Sequence, residues 1–217
     1  MSLNASHVKS PVSGVKQEPL APGSYPARLV QVIDLGRQLN KFDPEKEARQ
    51  EIMLTYELPT EFTKDKDGNE QPDKPRWVSE QMALCSIAAD LAKSTKRIKA
   101  IDPANQFKGD LIAMLGLPCI VTMVINPSKK DDKVYNNVSL VAPPMKGFEI
   151  PPLKNAPSFF SLENPDLETF DKLPKWIQDL IKNNVDFTGS KLDLLLGGTV
   201  PNSSVKQVEA NTDDVPF

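Results

Sequence analysis

Glu51-Ile52-Met53-Leu54-Thr55-Tyr56-Glu57-Leu58 is the stretch on which the fold turns. Successive side chains of a strand point to opposite faces, so this order puts Ile52, Leu54, Tyr56 and Leu58 on one face. Tyr56, in phase with aliphatic neighbours, reads as core. Upstream, Tyr25-Pro26-Ala27-Arg28-Leu29-Val30-Gln31-Val32-Ile33-Asp34-Leu35 is β-rich and long for a single strand. Gly36 follows it, where a small residue suits a bulge or sharp bend. Downstream, residues 59–75 carry charges, prolines and Asp67-Gly68-Asn69, and read as a long exposed loop. A third strand follows over 76–84. Two more, Pro118 to Ile125 and Lys133 to Val141, flank the breaker-rich Asn126-Pro127-Ser128-Lys129-Lys130-Asp131-Asp132.

Between the third and fourth strands, Ile87, Leu91, Ile98 and Ile101 recur on one helical face. Ser86 suits the N-cap of such a helix and Pro103 its end. Lys93, Lys96, Arg97 and Lys99 form its basic, solvated side. Asp110 to Leu115 reads as a short apolar helical turn ended by Gly116. Five strands with a helical insertion after the third give the element order of an OB-fold, much of which an SH3-like barrel shares. The expected class is mainly β: a five-stranded OB-fold barrel with a helical insertion and a C-terminal helical extension. Past Val141, Pro143-Pro144, Pro151-Pro152 and Pro157 mark an extended segment running over the barrel. A helix starting at Pro174 then offers Leu173, Ile177, Leu180 and Ile181 for packing. The organisation expected is a flexible lead-in over 1–22, a core over 23–146, an extension packed on it over 147–196, and a disordered acidic tail over 197–217.

Composition narrows the chemistry. Hydrophobic residues at 39% and charged residues at 25% are ordinary for a soluble globular chain. No apolar run approaches the roughly 20 residues that span a bilayer, and the N-terminus lacks an apolar signal core. A cytoplasmic protein without membrane contact is expected. Cys85 and Cys119 lie in apolar stretches and read as buried, reduced thiols. The lone histidine, His7, excludes a His-rich zinc site and a Ser-His or Cys-His pair. No glycine-rich phosphate loop is present. The acids Asp34, Glu51, Glu57 and Glu80 follow no metal-site spacing and read as solvated surface groups. We therefore expect no enzyme, no cofactor and no metal. The net charge of −3 is unevenly spread. Ser24 to Lys146 holds 18 Lys and Arg against 17 Asp and Glu, whereas Gly147 to Phe217 holds 6 against 11. A near-neutral core leaves room for a basic groove beside an acidic tail.

The chain ends in Asp213-Asp214-Val215-Pro216-Phe217. Two acids, a proline and a terminal phenylalanine suit a small pocket with a basic rim. Burial of Phe217 contributes roughly 1.5–3 kcal/mol, and the carboxylates add charge-assisted hydrogen bonds. This tip resembles that of bacterial single-stranded-DNA-binding proteins, which end in aspartates, an aliphatic residue, proline and phenylalanine. The body, with Pro22-Gly23-Ser24-Tyr25-Pro26-Ala27-Arg28 leading the first strand, is more similar to a phage-encoded type of these proteins. The resemblance implies an OB-fold core, single-stranded DNA in a groove, and replication or recombination proteins held by the tip. The chain departs from the bacterial type in its short tether, without a Gly/Gln-rich linker, and in the helix around Trp176. Tetramer formation is not carried over, and the oligomeric state stays open.

A core that binds single strands needs aromatic platforms interleaved with cations. Tyr25, Trp77, Phe107 and Tyr135 are the candidates, beside Arg28, Arg76, Lys108 and Lys133 respectively. Trp77 falls on the face opposite Val78, Met82 and Leu84. The expected function is sequence-independent binding and protection of single-stranded DNA in phage replication or recombination, with recruitment by Asp213, Asp214, Val215, Pro216 and Phe217. The competing readings are a strand-annealing recombination mediator, a metal-dependent nuclease and a pure interaction module.

Overall fold

Alternating strands with one apolar face must bury that face, and here they do so by curling the sheet on itself. The computed structural model describes residues 17–40, 43, 45–127 and 134–199. Strands β1 (Gly23–Gln38), β2 (Arg49–Lys64) and β3 (Glu70–Ala83) precede helix α1 (Lys93–Ile101). Strands β4 (Pro118–Pro127), β5 (Val134–Ala142) and the short β6 (Ser158–Phe160) follow, then helices α2 (Leu167–Lys172), α3 (Lys175–Lys182) and α4 (Lys191–Leu195). The sheet order is β3-β2-β1-β4-β5, antiparallel throughout, with β6 parallel to β1. These five strands form a half-barrel whose ends, β3 and β5, approach each other without pairing. Among the described residues no helix is long and apolar enough to cross a membrane.

The expected alternation of β2 holds, with Ile52, Leu54, Tyr56 and Leu58 all in the main core. β1 runs through Gly36, where its register against β2 shifts as the sequence predicts. Gly36 has φ +73°, and a Cβ there would lie 2.7 Å from the Asn184 side chain, so only glycine fits. Two other expectations are corrected. Residues 59–75 are largely strand: β2 and β3 continue as a ribbon, and only 65–69 turn. A two-stranded ribbon is solvated on both sides, so its charges did not forbid pairing. The Asp65 carboxylate closes the turn by accepting from Asp67 N (2.8 Å) and Asn69 N (2.9 Å). The helix after β3 starts at Lys93, not after Ser86. Ser86 instead makes a local turn, its hydroxyl accepting from Ala88 N (3.3 Å), and Leu91 is exposed.

A second core lies on the outer face of β1 and β2. Ile33, Leu35 and Met53 are covered there by Phe160, Phe170, Leu173, Ile177 and Ile181. The packing face expected of the helix after Pro174 is thus occupied, with α3 beginning at Lys175. β2 is consequently buried on both faces, which explains why Met53 interrupts a strict alternation. The end of the lead-in is also fastened: Leu20 is buried, and its N and O bond to the Asn136 side chain at 2.7 and 2.8 Å.

Two charged residues fix the extension. Arg28 donates to Gly116 O (2.7 Å), Ile150 O (2.6 Å) and Pro151 O (2.7 Å). Glu57, expected at the surface, is fully buried under the proline-rich segment. It accepts from Lys154 N (2.6 Å), Asn155 Nδ2 (2.6 Å) and Trp77 Nε1 (3.1 Å). Alanine at position 28 removes every donor from those three carbonyls. Arg28→Ala should therefore loosen the strap, and limited proteolysis should cut near Ile150 before the barrel unfolds.

Helix α1 closes the gap between β3 and β5 through a buried polar group. Arg97 donates to Glu80 at 2.8 and 3.1 Å and to Ser139 O at 3.3 Å. The Tyr56 hydroxyl donates to Glu80 Oε1 (3.0 Å), and Lys93 reaches Oε2 at 2.8 Å. Arg97 and Glu80 are 4% and 7% exposed, so the expectation of a solvated basic side and a surface acid is corrected for both. Each buries its charge because the other supplies the counter-charge. Burial also pushes the Cys119 thiol up to about 12, with the Glu80 charge adding to it, and raises the Tyr56 phenol well above its ordinary value. Both groups hold their protons more tightly folded than unfolded. Their contribution is complete below the ordinary thiol value and is lost as pH rises toward 12. Urea midpoints should accordingly fall between about pH 8.5 and pH 11.

Candidate functional site

The extension covers only part of the barrel's outer face, and the uncovered part is a cleft. Its floor is strand: Gln31 from β1, Thr55 from β2, Trp77 and Ser79 from β3 and Ser158 from β6. Its far wall is the extension, with Lys172 at the end of α2 and Trp176 on α3. The volume is about 450 Å³. Trp77 and Trp176 are 42% and 57% exposed, so both indoles that line the cleft are open to a ligand. The Trp77 ring is held by its bond to buried Glu57, which orients it without covering it.

The polar atoms of the floor are turned on one another. Thr55 Oγ1 and Ser79 Oγ lie 2.9 Å apart, and Gln31 Nε2 donates to Ser158 Oγ at 3.0 Å. One cation lines the cleft, Lys172, which pairs with Glu168 (2.7 Å); Lys175, next in sequence to Trp176, pairs with Asp179 (2.9 Å). Exposed i,i+4 pairs of this kind contribute only about 0.3–0.5 kcal/mol, so either ammonium can turn to an incoming anion. Among the described residues no three His, Cys, Asp or Glu side chains are grouped to hold a metal ion.

Of the residues singled out from the sequence, Trp77 lines this cleft. Tyr25 sits at the other end of β1, packed against the main core, its hydroxyl donating to Ala21 O at 2.7 Å. Burial and the nearby Glu61 carboxylate push its phenol up, while the Arg76 charge partly offsets them. Arg28 faces the Ile150 and Pro151 carbonyls of the extension and that of Gly116. Phe107 packs on the main core after α1, with its N bonded to Asp102 at 2.8 Å, and Lys108 beside it is exposed. Tyr135 is 51% exposed on β5, opposite Asn126. Lys133 and the tip residues Asp213, Asp214, Val215, Pro216 and Phe217 lie outside the described residues.

Trp176 was not among the sequence candidates, yet a signal for it existed. It stands at the edge of the Leu173, Ile177, Leu180 and Ile181 face, three residues after Leu173 and four before Leu180, where a large side chain lies partly outside the packed stripe, and in the structure it is exposed. No protein-family model matches the chain, and no curated protein matches its sequence.

Proposed function

We propose that the protein binds single-stranded DNA without sequence preference on an OB-fold barrel, and recruits DNA-processing proteins through Asp213–Phe217. The cleft holding Trp77 and Trp176 beside Lys172 carries this reading. Stacking on an aromatic ring contributes about 1–3 kcal/mol per base and tolerates any base, since each has a π-face. The mutually bonded floor atoms leave few groups to read base edges, which suits indifference to sequence. Bases directed inward leave phosphates at the rim, beside Lys172. The order β3-β2-β1-β4-β5 with a helix between β3 and β4 agrees with an OB-fold, in which the face of the second and third strands takes oligonucleotides. Thr55, Trp77 and Ser79 stand on that face. The biological setting that fits is protection of single strands during phage replication or recombination, the tip bringing partner proteins to the coated strand.

A fluorescence titration with poly-dT tests the reading. Both tryptophans should be quenched, single strands should outcompete duplex, and log affinity should fall with log salt. Equal affinity for duplex, or a slope of zero, would sink it. Deleting Asp213–Phe217 should abolish partner capture while leaving DNA affinity unchanged or higher, because an acidic tail competes with DNA for cations. A marked loss of DNA affinity on deletion would count against the division of labour.

A further inference from the structure

Strand β6 is only three residues long and pairs on one side alone. Gln31, Val32 and Ile33 of β1 face Ser158, Phe159 and Phe160, and among the described residues no strand pairs its other edge. Along that edge runs a cavity of about 400 Å³ lined by every residue from Pro157 to Ser161, then by Asn164, Asp166 and Thr169. A cavity that follows five consecutive residues tracks the backbone and not one face of the strand. The two faces differ. Phe160 is buried in the second core, whereas Phe159 points the other way and is 47% exposed. It borders a further cavity of about 380 Å³ with Ile52, Leu84, Leu111 and Ile112.

We infer that β6 is a docking edge for an extended, cationic and apolar segment of a partner protein, which joins the sheet as an added strand. Strand addition needs unpaired main-chain groups along an edge and pockets for alternate side chains, and β6 offers both. One side chain of the incoming strand enters the cavity beside Phe159, and its neighbours lie along the cavity toward Thr169. Charge selects the class of partner. The charged residues lining the two cavities are Asp34, Asp110 and Asp166, with no Lys or Arg among the described lining residues. Three carboxylates repel a polyanion and favour lysine or arginine interleaved with apolar residues. This edge therefore differs in kind from the tryptophan cleft, although Ser158 and Thr169 border both. Exposed edges are usually blunted by charge, proline or a bulge. β6 has Pro157 before it, but Ser158, Phe159 and Phe160 carry no such guard.

The full-length protein should be titrated with three synthetic peptides: alternating valine and lysine, alternating valine and glutamate, and the valine-lysine peptide N-methylated at alternate amides. Calorimetry or amide chemical shifts give the affinities. The valine-lysine peptide should bind at least about tenfold more tightly than the glutamate peptide. N-methylation should remove binding, because the ladder bonds are lost. Phe159→Ala should weaken it by about fivefold or more while leaving the circular dichroism unchanged, since the ring is half exposed. Equal affinity for the two charge patterns, tolerance of N-methylation, or no effect of Phe159→Ala overturns the inference. So does displacement of the peptide by oligo-dT together with weaker oligo-dT binding by Phe159→Ala, which would assign the edge to nucleic acid.

Discussion

Arg97→Met is expected to lower the unfolding free energy by about 3–5 kcal/mol, read from urea denaturation. Methionine keeps the apolar stem of the arginine but ends short of Glu80, so the loss comes from the Glu80 carboxylate left without its counter-charge and from the space the guanidinium vacates. Its carboxylate stays buried with Lys93 and the Tyr56 hydroxyl as remaining partners, and Lys93 is itself half exposed. The seam between β3 and β5 also loses its bridge to Ser139 O. A second variant separates charge from packing. Glu80→Gln combined with Arg97→Met removes the orphaned charge and keeps an acceptor for Tyr56, so it should regain much of the loss. If the double variant is no more stable than Arg97→Met, the seam is held by shape and not by the ion pair.

Trp77→Ala is expected to weaken binding of oligo-dT by about five- to a hundredfold, the equivalent of one base stack. Trp176→Ala should fall in the same range. The two side chains face one cleft, so a double-mutant cycle should show coupling and not simple addition. Trp77→Ala should be tolerated by the fold, because Glu57 keeps its bonds to Lys154 N and Asn155 Nδ2. Unchanged affinity in both single variants with intact circular dichroism would remove the cleft from the DNA path.

How much of this was legible in the sequence depends on the range of the forces involved. The face of Ile52, Leu54, Tyr56 and Leu58 was readable because period-2 burial is a local signal. The bend at Gly36 was readable because a glycine's conformational freedom is a property of the residue itself. Glu57, Glu80 and Arg97 were not, because a charge enters the interior only when distant partners meet it. Glu57 takes hydrogen bonds from groups 97 and 98 residues further on. Polarity misled in the β2–β3 ribbon, where pairing does not require burial. It misled again at Ser86, whose capping chemistry closed a turn instead of a helix. The cleft was half legible: Trp77 stood out by its phase, but its counterpart is brought to it by the extension. The aromatic–basic neighbourhoods around Tyr25 and Phe107 followed from adjacency in sequence, and in three dimensions both rings lean on the main core.

The pairing of β1 with β6 also sets a timetable for synthesis. The last strand of the half-barrel ends at Ala142, but Gln31 must wait for Ser158, 127 residues after it. At about 5–20 residues per second that wait is roughly 6–25 s. For most of it Ile33, Leu35 and Met53 lack the residues that cover them in the folded protein, because all of those are translated later. Until the extension arrives that flank stays apolar and uncovered, so the second core is the last part of the fold to be completed.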